Sequence, residues 1–255
     1  MLKTRIIPTL LWKDVGLVKG MKFDSWRRVG TVLPAIKVYN TREVDELILV
    51  DITATREGND PDYDSIADFT AECFVPLTVG GGVKNLEQIK KLLRAGADKI
   101  AINSAAYSDP NLIQQAANLF GKQCVVVSID ARQLAEGQYE CYSHSGTQAT
   151  GQQPHIWAKT VAALGAGEIL LTSIDHDGTM QGYDLELIRQ VAASVNIPVI
   201  ASGGAGNYED MYQAIVARAS AVAAASIFHF TEQTPLAAKK YLENKGVPTR
   251  RVNIL

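Results

Sequence analysis

The sequence repeats itself at a spacing of 122 residues, close to half of its 255-residue length. The segment VPLTVGGGVKNLEQ at 75–88 aligns without a gap with IPVIASGGAGNYED at 197–210. Four residue pairs keep this register: Gly81 with Gly203, Asn85 with Asn207, Glu46 with Glu168 and Ser104 with Ser226. A repeat on this scale predicts two similar structural units that share one core.

Short apolar runs alternate with amphipathic segments along the whole chain. Helical spacing is clearest in 85–96, where Leu86, Ile89 and Leu92 form one stripe. The runs that predict strands are eight in number: 5–11, 46–52, 75–79, 98–103, 123–130, 167–173, 197–202 and 220–226. This order of elements is typical of an α/β protein of the (β/α)8 TIM-barrel class.

We predict one barrel domain over residues 1–255, built from two homologous half-barrels at about 1–122 and 123–245. The alternative is an open, doubly wound sheet. The repeat argues against that alternative, because four strand–helix units in each half make a barrel of eight.

Composition excludes several functional classes. The net charge is −2 with no basic patch for nucleic acid, and no apolar run reaches the ~18 residues of a membrane span. The beginning of the chain lacks the features of a signal peptide. The three cysteines have no CxxC spacing, and the four histidines are scattered. We therefore expect a cytoplasmic protein with reduced thiols, no metal and no cofactor.

Two glycine-rich turns follow equivalent predicted strands. VGGGV at 79–83 follows the third strand and SGGAG at 202–206 follows the seventh, and each leads into a helix. Glycines let backbone N–H groups approach an anion, and the helix N-terminus attracts negative charge. Ser104 and Ser226 add hydroxyls nearby. The pattern predicts two phosphate cradles and a substrate with a phosphate at each end; glycines that serve only tight turns are the alternative.

The centre of the predicted mouth has a single carboxylate. Two carboxylates facing each other there could divide the roles of general acid and general base. Asp130 ends the fifth strand and is the candidate general acid or base. The corresponding position on the first strand is Leu11. Asp51 and Asp177 lie at the same end of the barrel, but alternation along the second strand predicts that Asp51 points away from Leu11. A helix cap or solvated strand end is the alternative role for Asp130.

Lys19 lies in a glycine-containing segment, 13–30, that we predict to be a long loop. A lysine there could fold over a bound phosphate as part of a lid. An ordinary exposed lysine is the alternative.

Charged residues occur at the starts of several predicted strands. Alternation along each strand places these charges on the same inward face as the mouth residues. The repeat adds a further inward charge, Glu46, on the second strand, because it corresponds to Glu168. The four charges that converge on the bottom, here called the floor ring, are Arg5, Glu46, Lys99 and Glu168. The inward positions above them are small or hydroxylated: Thr9, Thr78, Ala101, Ser128 and Thr172. We predict a narrow polar lumen closed by ion pairs; a solvated rim that contributes little is the alternative.

Motifs along nearly the whole chain resemble those of the cyclase subunit of imidazole glycerol phosphate synthase, a glutamine-dependent enzyme of histidine biosynthesis. They are TRIIP, DELILVDITA, PLTVGGGV, LLRAGADKI, QCVVVSIDA, GAGEILLTSIDHDGT, GYDLELI and NIPVIASGGAGN. The resemblance implies a glutaminase subunit docked on the floor, with the floor ring as an ammonia gate. It also implies that ammonia cleaves and cyclises a bis-phosphorylated ribulosyl-aminoimidazole, giving imidazole glycerol phosphate and an aminoimidazole carboxamide ribotide.

The resemblance also implies which residues form the site. Asp130 and the position of Leu11 correspond to the catalytic pair. Adding the residues identified above, the predicted substrate and phosphate contacts are Lys19, Gly82, Asn103, Ser104, Thr172, Asp177, Gly178, Ser202, Gly204, Ala225 and Ser226.

Leu11 departs from the family pattern, which has an aspartate there in a CLD-type run that reads TLL in this chain. Loss of one acid–base group costs about 10²–10⁴-fold in rate, roughly 3–5 kcal/mol. The LL run followed by GLVK resembles a paralogous group associated with a glutaminase-like partner and a sugar amidotransferase, which amidates surface-polysaccharide sugars. We favour this paralogue as the hypothesis.

Three other functions stay open from the sequence. The chain could be a genuine histidine-pathway cyclase, or a non-catalytic barrel that binds a bis-phosphate and activates its glutaminase. The third is the sister sugar isomerase of the same pathway. The floor ring argues against the isomerase, which has no use for an ammonia gate.

Overall fold

The computed structural model describes residues 3–42 and 44–250. Its centre is a closed barrel of eight parallel strands, which confirms the predicted (β/α)8 fold. The barrel strands are β1 (Arg5–Lys13), β4 (Leu47–Asp51), β5 (Leu77–Gly80), β6 (Lys99–Ile102), β7 (Val125–Ala135), β10 (Glu168–Ser173), β11 (Val199–Ser202) and β12 (Ala221–Ala224). The barrel closes through the pairing of β1 with β12 and with β4.

Helices follow the strands and surround the barrel. They are α1 (Val32–Thr41), α2 (Ala54–Glu57), α3 (Tyr63–Ala71), α4 (Leu86–Arg94), α5 (Ser104–Ser108), α6 (Asn111–Phe120), α7 (Pro154–Leu164), α8 (Leu185–Ser194), α9 (Tyr208–Val216), α10 (Ser226–Phe230) and α11 (Pro235–Asn244). In residues 3–42 and 44–250, no helix combines the length and the apolar character that crossing a membrane requires.

The asparagines of the repeat begin equivalent helices. The side chain of Asn85 accepts a hydrogen bond from the N–H of Gln88 at the start of α4. Asn207 does the same for Asp210 at the start of α9, where the Asp210 carboxylate accepts from the Asn207 N–H in return. Asparagine is among the best residues at this position because it satisfies an otherwise unpaired N–H. The caps place both helix N-termini directly after the glycine turns.

Two antiparallel hairpins extend from the mouth at equivalent places. The first comprises the end of β1 with β2 (Gly16–Met21) and β3 (Asp24–Gly30). The second comprises the end of β7 with β8 (Gln138–Ser143) and β9 (Gln148–Ala149). The prediction of a long loop over 13–30 is therefore wrong. Apolar residues in GLVKGM pack against the barrel end and continue the sheet, which the glycines did not indicate.

Apolar side chains form two layers on opposite faces of the barrel strands. The larger layer lies between strands and helices and includes Ile6, Leu10 and Leu49. The smaller lies inside the barrel and includes Ile7 and Ile48. The division of 1–255 into half-barrels at about 1–122 and 123–245 stays a prediction, and its ends fall outside the described residues.

Candidate functional site

One cavity opens at the carboxyl ends of the barrel strands. Every residue predicted for catalysis or for substrate and phosphate binding contributes to its wall: Leu11, Lys19, Gly82, Asn103, Ser104, Asp130, Thr172, Asp177, Gly178, Ser202, Gly204, Ala225 and Ser226. Residues up to 215 positions apart in the chain thus meet in one place, because parallel strands direct their carboxyl ends to the same edge. Their individual roles stay predictions.

Gly81 and Gly203, which the repeat relates, are required by close backbone packing. Gly81 has a φ of +103° and Gly203 a φ of +89°, which are left-handed conformations that favour glycine. A side chain on Gly81 would meet the carbonyl of Asp51, and one on Gly203 would meet the carbonyl of Ser173. Asp51 and Ser173 are themselves related by the repeat, so both halves make the same contact.

The following glycines, Gly82 and Gly204, differ in their surroundings. The Gly82 N–H donates to the Thr55 hydroxyl at 3.2 Å. Gly204, with a φ of +113°, lies against the carbonyl of Gly182, whose own N–H donates to the Gly204 carbonyl at 2.9 Å. The second turn is thus tied to the segment between β10 and α8.

Replacing Gly204 by alanine is expected to destabilise the fold by roughly 2–4 kcal/mol, because strained φ and a backbone clash add together. Urea unfolding measures this loss. The control is Gly246→Ala, at a φ of +79° with open space around the missing side chain, which should cost only about 1 kcal/mol. Equal losses in the two variants would contradict a tightly packed second turn.

Several buried polar atoms of the cavity wall have no hydrogen-bond partner in the described residues. They are the Thr9 hydroxyl, the Asn103 side-chain oxygen and the Ser226 hydroxyl. Buried polar groups are almost always hydrogen-bonded, so a site for a polar ligand is the natural explanation. The Ser104 hydroxyl, in contrast, already accepts from the N–H of His144 at 3.0 Å.

Asp130 is the buried carboxylate at the centre of the cavity. Its Oδ2 accepts from the Asn103 amide at 2.8 Å, and its Oδ1 from the Ser128 hydroxyl at 3.3 Å. Burial raises the pKa of Asp130 to about 7; the Asp177 charge adds to the rise, while hydrogen bonds from Ser128 and Thr172 oppose it. Near neutral pH this group can therefore either give or accept a proton.

The other two carboxylates of the cavity are already engaged. Asp51 borders the cavity, and the strand register agrees with the predicted alternation, because Asp51 pairs with Trp12 while Leu11 pairs with Val50. Its Oδ1 accepts from the N–H and hydroxyl of Thr53 and from the N–H of Ala54, at 2.8–3.0 Å. Asp177 forms an ion pair with Lys19 at 2.7 Å. Among residues 3–42 and 44–250, Asp130 has no cationic partner of this kind.

Lys19 is neither an exposed lysine nor part of a loop. It lies on β2 with 2% of its surface exposed, and its ammonium contacts the Asp177 carboxylate. Burial raises the pKa of Asp177, although Lys19 acts in the opposite direction. The Lys22 N–H also donates to the Asp177 carbonyl at 2.8 Å, so the tip of the first hairpin is fastened to the mouth at two points.

The floor ring closes at the opposite end of the barrel. Nη1 of Arg5 lies 2.8 Å from Glu46 and 2.9 Å from Glu168. Nζ of Lys99 lies 2.9 Å from Glu46 and 3.1 Å from Glu168. The four side chains are only 11–20% exposed, so the alternative of a solvated rim was wrong.

The predicted polar lumen is interrupted by an apolar layer. Its members inside the barrel include Ile7, Ile48, Val126, Leu170 and Ile200. Thr9, Ser128 and Thr172 line the mouth cavity. Ala101 belongs to the apolar layer and also lines the cavity, whereas Thr78 does not reach it. The prediction of a continuously polar lumen was therefore wrong, because bulky branched residues fill this level as in other barrels.

Sequence reasoning missed some of the site. Phe23 and Trp26, from the first hairpin, line the cavity, and the second hairpin contributes Ser145. Placing these residues requires knowing that both segments fold back over the mouth. His176, in the DHDGT segment beside Asp177, does not line the cavity, and its Nδ1 is 2.7 Å from the Gly182 carbonyl.

Fold and site together define a (β/α)8-barrel protein whose mouth cavity is lined by two equivalent glycine turns and by the buried carboxylates Asp130 and Asp177. The model of the family described as "Histidine biosynthesis protein" matches residues 5–234. The chain is also 46% identical, over 252 residues, to "Imidazole glycerol phosphate synthase subunit HisF" of Endomicrobium trichonymphae, an alignment that covers 99% of this chain and 97% of that protein. The chain therefore belongs to the histidine biosynthesis protein family, as its motifs indicated.

Proposed function

We propose that this barrel is the ammonia-receiving subunit of a glutamine-dependent complex of the imidazole glycerol phosphate synthase type. A glutaminase docks on its floor, and ammonia supports amidation of a surface-polysaccharide sugar instead of the histidine-pathway cyclisation. The observation that carries this proposal is the cavity itself: Asp130 faces a wall on which Leu11 stands at the family's second acid position.

The engaged carboxylates support this choice of chemistry. Asp51 caps α2 with one oxygen, and Asp177 is paired with Lys19. To replace the missing acid, Asp177 would have to separate from Lys19, and Asp51 could offer only the oxygen that does not cap α2. Cyclisation that needs one group to donate a proton while another removes one is therefore disfavoured, whereas a single proton transfer by Asp130 is not.

The path from floor to mouth suits neutral ammonia. At the floor, each carboxylate of the ring contacts two cations, so opening the ring requires ion pairs to separate. The apolar layer above it disfavours the ammonium ion and bulk water, because an unpaired charge is costly to transfer into an apolar environment. The small uncharged molecule can then reach the cavity, where a bis-phosphorylated ligand would sit between the glycine turns.

The acceptor completes the proposed assembly. If the sugar is amidated outside this barrel, a sugar amidotransferase must receive the ammonia at the mouth. We place the complex in the cytoplasm, which is consistent with free thiols at Cys73, Cys124 and Cys141.

The second candidate is a genuine histidine-pathway cyclase. The 46% identity to a HisF subunit over nearly the whole chain favours it, and so does the presence of Asp130. In that case Asp130 would suffice alone, or Asp51 would exchange its cap for catalysis.

The deciding experiment compares the unmodified protein with Asp130→Asn. Both receive saturating ammonium salt and the bis-phosphorylated ribulosyl-aminoimidazole, and formation of imidazole glycerol phosphate is followed. We expect the unmodified protein to exceed Asp130→Asn by less than about tenfold, since one partner of an acid–base pair contributes little alone. Calorimetric titration with the same compound shows whether the site binds it. A hundredfold or larger difference would establish the cyclase instead.

A further inference from the structure

A second, more deeply buried ion pair lies beside the floor ring. Lys239 of α11 places its ammonium 2.8 Å from Oδ1 of Asp45, and the two side chains are only 4% and 3% exposed. They are separated by 194 positions in the chain. The barrel cavity does not include them, and neither belongs to the floor ring.

Asp45 is connected to two residues of the floor ring, Glu46 and Arg5. It directly precedes Glu46 in the chain, and its Oδ2 accepts from the N–H of Ile6, the residue after Arg5, at 2.9 Å. Pairing between β1 and β4 begins only at Thr9 and Ile48, so the ladder does not extend to Ile6. The Asp45 carboxylate thus holds the backbone where ladder bonds between these strands are missing.

The residue before Arg5 is held from the same side. The N–H of Thr4 donates to the Pro248 carbonyl at 2.8 Å, just after α11. The backbone is therefore held on both sides of Arg5. Thr4 is bonded to Pro248, and Ile6 is bonded to Asp45, the carboxylate that pairs with Lys239 of α11. The repeat equivalents of Asp45 and Lys239 are Gly167 and Ala117, so the other half of the barrel has no such pair.

We propose that the Asp45–Lys239 pair is a positioning device that ties α11 to Arg5 and Glu46 and holds the floor ring closed. A buried carboxylate stripped of its cation would attract other donors or water, and the backbone at Ile6 and Glu46 would loosen. The consequence for ammonia passage rests on the proposed function, whereas the positioning itself does not.

The test measures how accessible Lys99 is. The intact protein is treated with formaldehyde and a borohydride reductant, which methylates accessible lysines, and the rate at Lys99 is read by peptide mass spectrometry. Lys99 is 14% exposed in the closed ring. We expect Lys239→Met to label Lys99 about tenfold faster, through more frequent local opening, and Lys239→Arg to stay near the wild-type rate.

A matched control addresses general loosening of the same helix. Glu209 lies 3.2 Å from Lys245, just after α11, and accepts from Tyr241 within the helix. Neither contact involves a residue of the floor ring. Glu209→Gln should leave Lys99 labelling unchanged. If Lys239→Met does not fold, Asp45→Asn is used, because an amide oxygen can still accept from Ile6 while the ion pair is lost.

Two results would overturn the proposal: wild-type labelling of Lys99 in the folded variant, or equal acceleration in Glu209→Gln. A separate assay distinguishes failure of the ammonia-gate hypothesis from failure of the positioning proposal. If labelling of Lys99 shows that Lys239→Met opens the ring, yet neither Lys239→Met nor Lys99→Met changes the ratio of glutamine-driven to ammonia-driven turnover, the positioning role stands and the ammonia gate does not.

Discussion

Replacing Leu11 by aspartate is expected to raise ammonia-driven turnover of the bis-phosphorylated ribulosyl-aminoimidazole by roughly 10²–10⁴-fold. The side chain at this position lines the cavity together with Asp130, so a carboxylate there can act on the same ligand. Leu11 is half-buried, so water at the mouth can solvate an added carboxylate. Steady-state kinetics with saturating ammonium salt measures the gain.

The control for this substitution is Leu11→Asn, which has nearly the same shape but cannot exchange a proton. It should remain at the rate of the unmodified protein. A Leu11→Asp variant that binds the ligand but turns over no faster would show that the cavity differs from a cyclase site in more than one acid. A gain shared by Leu11→Asn would mean that polarity, and not proton transfer, was missing.

Replacing Lys99 by methionine is expected to destabilise the protein by about 3–5 kcal/mol, because it leaves two carboxylates of the floor ring with Arg5 as their shared cation. Lys99 now contacts both Glu46 and Glu168 at 2.9 and 3.1 Å, at 14% exposure. Urea unfolding measures the loss. In a complex with its glutaminase, the same variant should also change the ratio of glutamine-driven to ammonia-driven turnover.

An exposed ion pair provides the comparison. Lys37 lies 3.3 Å from Glu72, with side chains 60% and 46% exposed. Lys37→Met should change the free energy of unfolding by no more than about 0.5 kcal/mol, since exposed pairs contribute little. A Lys99→Met variant as stable as Lys37→Met would show that the floor ring does not behave as a buried network.

Local sequence signals were enough for the framework of this molecule. Apolar runs and helical spacing predicted the barrel strands, and the repeat predicted equivalent glycine turns that each lead into a helix. The structure adds that Asn85 and Asn207 cap those helices. These signals are local because strand formation, helix capping and left-handed turns depend on neighbouring residues. The alternation of side chains along each strand also predicted the floor ring, because it determines which residues of a strand face the barrel interior.

The prediction for one segment was wrong. Residues 16–30 form a hairpin where a loop was predicted. The apolar layer above the floor ring was also missed, although alternation indicates it. Ile7, Ile48 and Leu170 each follow a floor-ring residue by two positions, so they face inward as well and fill this level.

The sequence by itself determined the barrel, its glycine turns, the inward charges and the absence of an acid at Leu11. Only the tertiary structure decided which charges became partners. Lys19 pairs with Asp177 across 158 positions, and Asp45 with Lys239 across 194. Such pairs depend on which segments the closed barrel and its hairpins bring into contact, and burial then requires each charge to find a partner. Asp130 differs from the other cavity carboxylates: in the part of the chain that the structure describes, it neither caps a helix nor pairs with a lysine, and it accepts hydrogen bonds from Asn103 and Ser128 instead.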